Sequence, residues 1–516
     1  MTTCATGKNI DETARICNLI LPVPDTDFCD FLEEVAKLAQ FAPEIIEAVD
    51  RDLDRHAREK KSLRLADLKF MESRTSDLPG MDIAERNVLA DELQLACGRP
   101  RMDGCAVFVL LMVRGFLGSL TSKPARRFLR ESMSLYAFFQ SRGLALPAAT
   151  TAQENVNLVS TATRGLIFDR QIAMALSEGL DDFKVLTIDS TAVRADSAWP
   201  TDARILTGLL ARAARLGQKL HLFGLEDFRA GWVPRWLEEM ARLVFQICLA
   251  AGRAKSRGKL KRHYRHLLNR GRKVWDTLSA QFSGLDQALL LKMQAPSRRA
   301  LLQRLFRQIE SDLSDASRVR GYATGRVFSD EKLPSTEKVL SLSDGSAAYI
   351  QKGCRNPVIG YKPQLVRSAN GLVTSLTVPR GNTADCAELE PAIAASARRT
   401  GVVPELVSAD DGYASAKGLQ AVLALGVADV SISGSKGRKL TSPEDWCSVL
   451  YQDARRNRSA VESLMFTIKD GFEFGELSRR GLEAVRDELL EKVLAYNCCR
   501  IILLRQRRLE RLRPAA

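Results

Sequence analysis

Two aspartates occupy positions where an ionised carboxylate is structurally awkward. Asp189 lies inside the β-branched run Val-Leu-Thr-Ile-Asp-Ser-Thr, and Asp410 ends the apolar run that begins at Leu406. A carboxylate at the end of a buried strand is costly to ionise unless a cation pairs with it. A single aspartate of this kind is more commonly a helix cap or a turn residue. Two of them on neighbouring strands favour a shared metal ion.

A third carboxylate, Glu462, lies on a basic helix face. At about 100° per residue it shares an arc of about 60° with three cations, while the apolar residues of the segment point the other way. The cations are Arg455, Arg458 and Lys469, and the apolar residues are Val461, Leu464, Met465 and Ile468. One interpretation is an i,i+4 Arg–Glu surface pair. The other is that this face is directed at the two aspartates and completes their site.

The donor types favour a hard cation. The four histidines (His56, His221, His263 and His266) are scattered, and the eleven cysteines form no C-x-x-C pair. Three carboxylates without a His/Cys set suit Mg²⁺ or Mn²⁺. Two such ions about 4 Å apart can activate a water or hydroxyl and stabilise the leaving 3′ oxygen of a phosphodiester. We therefore predict a two-ion site whose catalytic and metal-binding residues are Asp189, Asp410 and Glu462.

The positive charge is concentrated in one segment. Residues 200–335 hold 26 Lys and Arg against 12 Asp and Glu, which gives the whole net charge of +14 and leaves the remainder neutral. The densest part, 253–273, has ten basic residues and no acidic one. A solvated helix face is the alternative, but a run of one sign favours contact with a polyanion. The predicted DNA contacts here are Arg257, Lys259, Lys261, Arg262 and Arg265.

The elements that must position these residues predict an α/β fold. A β run within 184–195 is followed by helical periodicity to 335, then by two β runs, 358–368 and 372–378, joined at Asn370-Gly371. Helix, strand, helix and strand patterns follow over 385–400, 406–410, 416–425 and 428–433. A mixed parallel and antiparallel sheet results. Its first strand stays within one compact sheet only if the long helical block is an insertion.

The domain prediction follows from this order. We expect a helical N-terminal region over 1–180, the first core strand within 181–199, a basic helical insertion over 200–335, the rest of the core over 336–475, and a basic C-terminal helix over 476–516. Within the N-terminal region, Ser119–Arg130 is typical of either a DNA-binding helix-turn-helix or a plain αα-hairpin.

The composition excludes several classes of protein. Charged residues make up 27% and hydrophobic residues 45%, which is typical of a globular chain and not of a disordered one. The longest dense apolar run, 105–113, is shorter than the roughly 20 residues that cross a bilayer. The first 25 residues lack the apolar core of an export signal. We therefore expect a protein that is neither secreted nor membrane-spanning.

At these residues the chain resembles the DDE transposases of bacterial insertion sequences. Arg458-x3-Glu462-x6-Lys469 is similar to the R, E and K of their Y-x2-R-x3-E-x6-K box, with Arg455 in place of the Tyr. Four other stretches resemble their motifs in the expected order: Asp189-Ser-Thr, Pro200-Thr201-Asp202, Gly381-Asn382-x2-Asp385 and Asp410-Asp411-Gly412-Tyr413. In the last of these, the register selects Asp410 rather than Asp411 as the acidic residue.

The resemblance implies a ribonuclease H-like fold: a mixed five-stranded sheet interrupted by a large helical insertion. It implies cleavage at transposon ends and transfer of a 3′-OH to target DNA, with Mg²⁺ or Mn²⁺. It also implies double-stranded DNA as partner, a synaptic homodimer, and a cytoplasmic, nucleoid-associated bacterial protein. In that family Arg and Lys of the box bind DNA-end phosphates, so this role passes to Arg458 and Lys469, with Arg455 as a further contact. A stand-alone nuclease of the same fold and a domesticated DNA-binding repressor are the alternatives.

Overall fold

The computed structural model describes residues 28–75, 101–197, 201–225, 231–251, 256–351 and 356–512. These residues form two compact units. One contains the described residues of 1–56, 101–196 and 346–516, and the other contains those of 57–100 and 197–345. Three predictions fall partly outside the described residues. They concern Pro200 of the Pro200-Thr201-Asp202 motif, the basic residues Arg253 and Lys255, and the parts of the predicted helical regions at 1–27, 76–100 and 513–516.

A five-stranded sheet forms the core of the first unit. The strands of the described ranges are β1 (Val185–Ser190), β2 (Val193–Arg194), β3 (Ala348–Ile350), β4 (Val358–Tyr361), β5 (Gln364–Ser368), β6 (Val373–Thr377), β7 (Leu406–Ala409) and β8 (Asp429–Ile432). The sheet order is β6-β5-β1-β7-β8. The pairs β5–β6 and β1–β5 are antiparallel, whereas β1–β7 and β7–β8 are parallel. The predicted α/β class with a mixed five-stranded, ribonuclease H-like sheet is confirmed.

The predicted hairpin is present between β5 and β6. Its turn passes through Gly371, whose φ of 95° lies in the left-handed region that glycine adopts without strain. The Ser368 hydroxyl accepts a hydrogen bond from the Leu372 backbone N–H at 3.0 Å and closes the turn. Two runs of strand-forming residues joined by an Asn-Gly dipeptide were therefore sufficient to predict this hairpin.

The prediction of a single β run over 358–368 was wrong. The run breaks at Lys362-Pro363, because proline lacks the N–H that a continuous strand would need. The part before the break, β4, belongs to a separate three-stranded sheet of order β2-β4-β3. Gly360 is required there, since a Cβ at this position would lie 1.9 Å from the Val193 carbonyl oxygen.

Helices in the N-terminal third of the chain precede the sheet. They are α1 (Phe28–Phe41), α2 (Glu44–Thr75), α3 (Gly104–Leu117), α4 (Lys123–Glu131), α5 (Met133–Gln140), α6 (Ala149–Val156) and α7 (Thr161–Ser177). The segment Ser119–Arg130 contains the turn between α3 and α4 and most of α4. Gly118, with a φ of 71°, caps the end of α3, and Ser122 caps α4 by accepting from the Ala125 N–H. A helical N-terminal region is thus confirmed in the described residues.

The second unit is built from long amphipathic helices. They are α8 (Asp202–Gln218), α9 (Val233–Ala250), α10 (Arg257–Ser283), α11 (Gln287–Lys292) and α12 (Pro296–Phe328). Their apolar stripes form one core that includes Leu206, Met240, Leu267 and Leu302. In sequence this unit separates β2 from β3. The predicted boundaries at 200 and 335 and the DNA-binding roles of the segments stay predictions.

The remaining helices follow the hairpin. They are α13 (Asp385–Thr400), α14 (Ala416–Ala424), α15 (Ser435–Leu440), α16 (Pro443–Cys447), α17 (Val449–Gly471) and α18 (Leu482–Leu512). The last of these closes the sheet edge, because the Asn497 side chain accepts from the Val373 N–H and donates to its carbonyl oxygen, both at 2.9 Å. None of the helices within the described ranges is both long and apolar enough to cross a bilayer.

The two faces of the sheet carry different helices. Leu186 and Ile188 of β1 share a buried core with Leu389 of α13 and Val422 of α14. Because side chains alternate along a strand, Thr187 and Asp189 point to the opposite face. That face carries α17, where the Ala454 carbonyl oxygen accepts a hydrogen bond of 2.8 Å from Ser408 on β7.

Candidate active site

Asp189 and Asp410 are neighbours across two parallel strands. The β1–β7 register pairs Thr187 with Ser408, and two further residues along each strand lead to the two aspartates. Asp410 keeps an extended backbone, with φ −86° and ψ 174°, so the register continues to it. Adjacent strands lie about 4.8 Å apart. Both carboxylates are half-buried and lie on the face that carries α17.

The helix α17 brings the third predicted residue to the same cleft. An open cleft of about 980 Å³ is lined by Asp189, Asp410 and Glu462, together with Arg458 and Lys469. The buried side of α17 is formed by Val461, Leu464, Met465 and Ile468, as the helical periodicity predicted. The structure therefore places three carboxylates and two cations from distant parts of the chain around one cavity.

Glu462 is held only loosely. Its side chain is 67% exposed, and its Oε1 lies 3.5 Å from Nη2 of Arg458. An exposed pair at this distance contributes little to stability. No group of three or more His, Cys, Asp or Glu within the described ranges is close enough to enclose a metal ion. The convergence of all three carboxylates on two ions therefore stays a prediction. It requires the Glu462 side chain to break its contact with Arg458 and turn toward the two aspartates.

Asp410 and its neighbour Asp411 have different partners. The carboxylate of Asp410 accepts a hydrogen bond of 2.9 Å from the Gly412 N–H and lines the cleft. The carboxylate of Asp411 accepts from the N–H groups of Lys436 and Gly437, at 2.7 and 3.0 Å, in the first turn of α15. Asp411 therefore stabilises a helix start, which leaves Asp410 as the cleft carboxylate of this pair.

A fourth carboxylate, Asp385, lines the cleft from the first turn of α13. Its Oδ1 lies 2.9 Å from Nζ of Lys362 and accepts a bond of 3.0 Å from Nε2 of Gln364. The orientation of the Gln364 amide is fixed because its Oε1 accepts from the Tyr413 hydroxyl. Lys362 also donates to the Thr383 carbonyl oxygen at 3.2 Å, and its side chain is only 8% exposed.

This network sets the charge of Asp385. Burial alone would raise its pKa, but hydrogen bonds from Lys362, Gln364 and Ser190 outweigh burial and lower the pKa below its ordinary value. Asp385 therefore stays ionised beside Asp189 and Asp410. The pKa of Tyr413 is raised, first by its burial and then by the negative charge of these three aspartates, so its hydroxyl remains a donor.

Sequence reasoning missed the part that Asp385 and Lys362 play in the cleft. Asp385 was recognised only as the last residue of Gly381-Asn382-x2-Asp385, and Lys362 was placed inside a continuous strand. The available signal was a lysine directly before a proline. Because the strand is interrupted at Pro363, the Lys362 side chain does not follow the alternation of a continuous strand. Its partner lies on a helix 23 residues further along the chain.

The other predicted DNA contacts lie elsewhere. Arg455 does not line the cleft: its guanidinium stacks 4.3 Å from the ring centroid of Trp446 and donates to the carbonyl oxygen of that residue at 2.8 Å. The five basic residues of α10 that were predicted to contact DNA belong to the second unit. Among them Lys259 and Arg262 are exposed, and Arg257 pairs with Asp330 at 2.6 Å.

The donor set of the cleft fits a hard divalent cation. Asp189, Asp410 and Glu462 supply only carboxylate oxygens, and no histidine or cysteine lines the cleft among the residues that the structure describes. Oxygen ligands of this kind suit Mg²⁺ and Mn²⁺.

A comparison with known protein families agrees with this geometry. Residues 314–498 match the model of the transposase DDE domain. The matched range covers about a third of the chain and contains Asp410 and Glu462, whereas Asp189 precedes it. Neither the curated proteins nor the solved structures gave a match. Over these residues the chain is therefore similar to the transposase DDE domain.

Proposed function

We propose that this protein is a transposase that cleaves DNA at transposon ends and joins the freed 3′ ends to target DNA, with Asp189, Asp410 and Glu462 as its catalytic carboxylates. The observation that carries the proposal is that these three residues, from two adjacent strands and a packed helix, line one cleft. The three residues are far apart in the chain. A local role such as a turn or a helix cap therefore does not explain why all three line the same cleft.

The three carboxylates would hold two Mg²⁺ or Mn²⁺ ions. When bound, such ions activate the attacking oxygen and stabilise the leaving 3′ oxygen. Arg458 and Lys469, on the same side of α17, would bind the phosphates that flank the scissile bond. Lys362 and Gln364 keep Asp385 ionised and in a fixed position, so the cleft retains a negative field that attracts divalent cations.

Double-stranded DNA is the proposed partner, and two copies of the chain would bind it as a synaptic homodimer. The basic residues Arg257, Lys259, Lys261, Arg262 and Arg265 would contact the DNA backbone from the second unit. Arg455 is a weaker candidate, because its guanidinium is already engaged with Trp446. A stand-alone nuclease of the same fold and a domesticated DNA-binding repressor are the competing functions.

Three substitutions test the catalytic assignment. Asp189→Asn, Asp410→Asn and Glu462→Gln should each reduce cleavage of a duplex that carries the DNA flanking the gene by at least about 100-fold, since metal-ligand loss removes several kcal/mol of transition-state stabilisation. DNA affinity, measured by fluorescence anisotropy, should remain within a few-fold. Asp411→Asn is the matched control and should retain cleavage, because Asp411 caps α15.

Product analysis separates the competing functions. Strand-transfer products in a reaction that contains target plasmid support the transposase, whereas cleavage without joining identifies a nuclease. Full DNA binding with no cleavage in Mg²⁺ or Mn²⁺ identifies a repressor and contradicts the proposal.

A further inference from the structure

A second cavity in the first unit is lined by arginines without acidic partners. It has a volume of about 310 Å³ and lies between β5, α17 and α18. Its polar lining consists of Arg367, Arg500, Arg507, Tyr496, Ser463 and Thr467, and no carboxylate is among the lining residues. The size is at the lower end of the range for small-molecule sites, which is about 300–1,000 Å³.

The cavity and the carboxylate cleft lie on opposite sides of α17. Arg458, Glu462 and Lys469 line the cleft, whereas Ser463 and Thr467 line the cavity. At about 100° per residue, the two sets are centred more than 120° apart around the helix. The arginine cavity is therefore distinct from the proposed catalytic site and does not share its residues.

The guanidiniums are held in place by neutral groups. Arg367 donates to the Ser368 carbonyl oxygen at 2.9 Å, and Nε of Arg500 donates to the Asn370 carbonyl oxygen at 2.7 Å. Neither these two arginines nor Arg507 forms a salt bridge within the described part of the chain. Arg367 and Arg500 are half-buried, whereas Arg507 is exposed at the rim. Because half-buried arginines are commonly paired with a carboxylate or phosphate, this pair suits an anionic ligand.

The mutual repulsion of the arginines supports this conclusion. Burial is the main factor that lowers the pKa of Arg367, and the positive charge of Arg500 lowers it further. Tyr496 and Asp181 act on the pKa of Arg367 in the opposite direction, but burial and Arg500 outweigh them. Two guanidiniums in a cavity whose lining holds no carboxylate repel each other, and an anion between them reduces that cost. The hydroxyls of Ser463 and Thr467 on the opposite wall add two hydrogen-bond donors.

We infer that this cavity is a binding site for a phosphate group, held by Arg367, Arg500 and Arg507. Arginine forks match the oxygens of phosphate in a bidentate geometry, and the three arginines approach from two elements. The phosphate belongs either to a DNA backbone or to a free phosphate or nucleotide. The site does not depend on catalysis, so it can exist whether or not the proposed function is correct.

The first experiment measures thermal unfolding of the full chain in inorganic phosphate or pyrophosphate, against chloride at equal ionic strength. We expect a saturable rise in Tm that is lost in the Arg500→Gln/Arg507→Gln variant. Arg511→Gln removes a positive charge further along α18 and should keep the rise, and Arg458→Gln should keep it if the ion is not in the catalytic cleft. If Arg367→Gln does not fold, Arg367→Lys should fold and bind phosphate several-fold more weakly.

The second experiment measures duplex DNA affinity as a function of salt. If a DNA phosphate occupies the cavity, the Arg500→Gln/Arg507→Gln variant should reduce the slope of log K against log[salt] by about 0.9 for each lost contact. Loss of the phosphate effect with an unchanged slope identifies a free phosphate or nucleotide as the ligand. If the cavity variant, Arg511→Gln and the unsubstituted chain behave alike in both experiments, the inference is overturned.

Discussion

At the scale of single residues, the pairing of Lys362 with Asp385 controls the charge of the cleft. Both side chains are largely buried, with exposures of 8% and 14%, and their charged atoms are 2.9 Å apart. Such a pair stabilises its surroundings weakly when intact but leaves an uncompensated charge when one partner is removed. The pair therefore links the stability of the core to the electrostatics of the proposed metal site.

A double-mutant cycle tests this link. Lys362→Met and Asp385→Asn should each lower the free energy of unfolding of the first unit by about 3–5 kcal/mol, because each leaves one buried charge without its main partner. The double variant should lose less than the sum of the two, with a coupling of about 0.5–3 kcal/mol measured by urea unfolding. Additive losses would show that the two side chains act independently.

The same variants should change Mn²⁺ affinity in opposite directions. Removing the Asp385 charge weakens the negative field of the cleft, and removing the Lys362 charge strengthens it. Calorimetric titration should therefore give weaker Mn²⁺ binding for Asp385→Asn and tighter binding for Lys362→Met. A shared loss of affinity would instead point to misfolding of the cleft, which circular dichroism of both variants would reveal.

Residue chemistry was predictable from the sequence only in part. Asp189 and Asp410 were recognisable because a carboxylate interrupts an apolar strand, and Glu462 because it lies among cations on a helix. The Lys362–Asp385 pair was not, since it depends on a backbone break at Pro363 that turns a lysine toward a helix start. The engagement of Arg455 with Trp446 also depends on tertiary packing that helical periodicity does not encode.

At the scale of elements, helix α18 is anchored by one buried carboxylate. Glu491 is 1% exposed and binds Arg114 of α3, Arg164 of α7 and Arg479, at 2.6, 2.7 and 2.5 Å. Although burial would raise the pKa of Glu491, the three arginines lower it to about 2. The C-terminal helix is therefore fixed to the N-terminal helices of the first unit by charge as well as by apolar packing.

This anchor predicts a defined loss of stability in acid. Because the pKa of Glu491 is about 2 in the folded chain and 4.5 ordinarily, its stabilisation is complete above pH 4.5 and decreases as the pH falls toward 2. The protection factors of the α18 amides, measured relative to the intrinsic exchange rate at each pH, should therefore decrease over this window. Glu491→Gln should exchange faster at pH 7 by an amount equivalent to about 3–5 kcal/mol.

The matched control for this anchor is an exposed glutamate on the same helix. Glu483→Gln removes a side chain that is 75% exposed and, within the described residues, pairs with Arg486 alone. It should leave α18 exchange almost unchanged at every pH. If Glu491→Gln and Glu483→Gln exchange alike, the buried carboxylate does not anchor the helix.

At the scale of the whole molecule, charge and chemistry are carried by different segments. The net charge of +14 arises from residues 200–335, while the carboxylate cleft belongs to the other unit. The order of the strands along the chain could be predicted because the hydrophobic runs and the Asn-Gly turn are local signals, whereas their order within the sheet was not predicted. The small sheet of β2, β3 and β4 could not, because β2 is two residues long and its pairing requires Gly360.

This separation of charge from chemistry predicts that DNA affinity and cleavage can be altered independently. Neutralising Arg257, Lys259, Lys261, Arg262 and Arg265 should weaken duplex binding at low salt and reduce the slope of log K against log[salt] by about 0.9 per lost phosphate contact. Cleavage at saturating protein should change little, since none of these residues lines the cleft.

The matched control exchanges each Arg for Lys and each Lys for Arg, which keeps the charge and should keep the slope. An unchanged slope in the neutralised variant would exclude these five residues from the DNA interface. A loss of cleavage without a loss of binding would show that they act on the catalytic site instead.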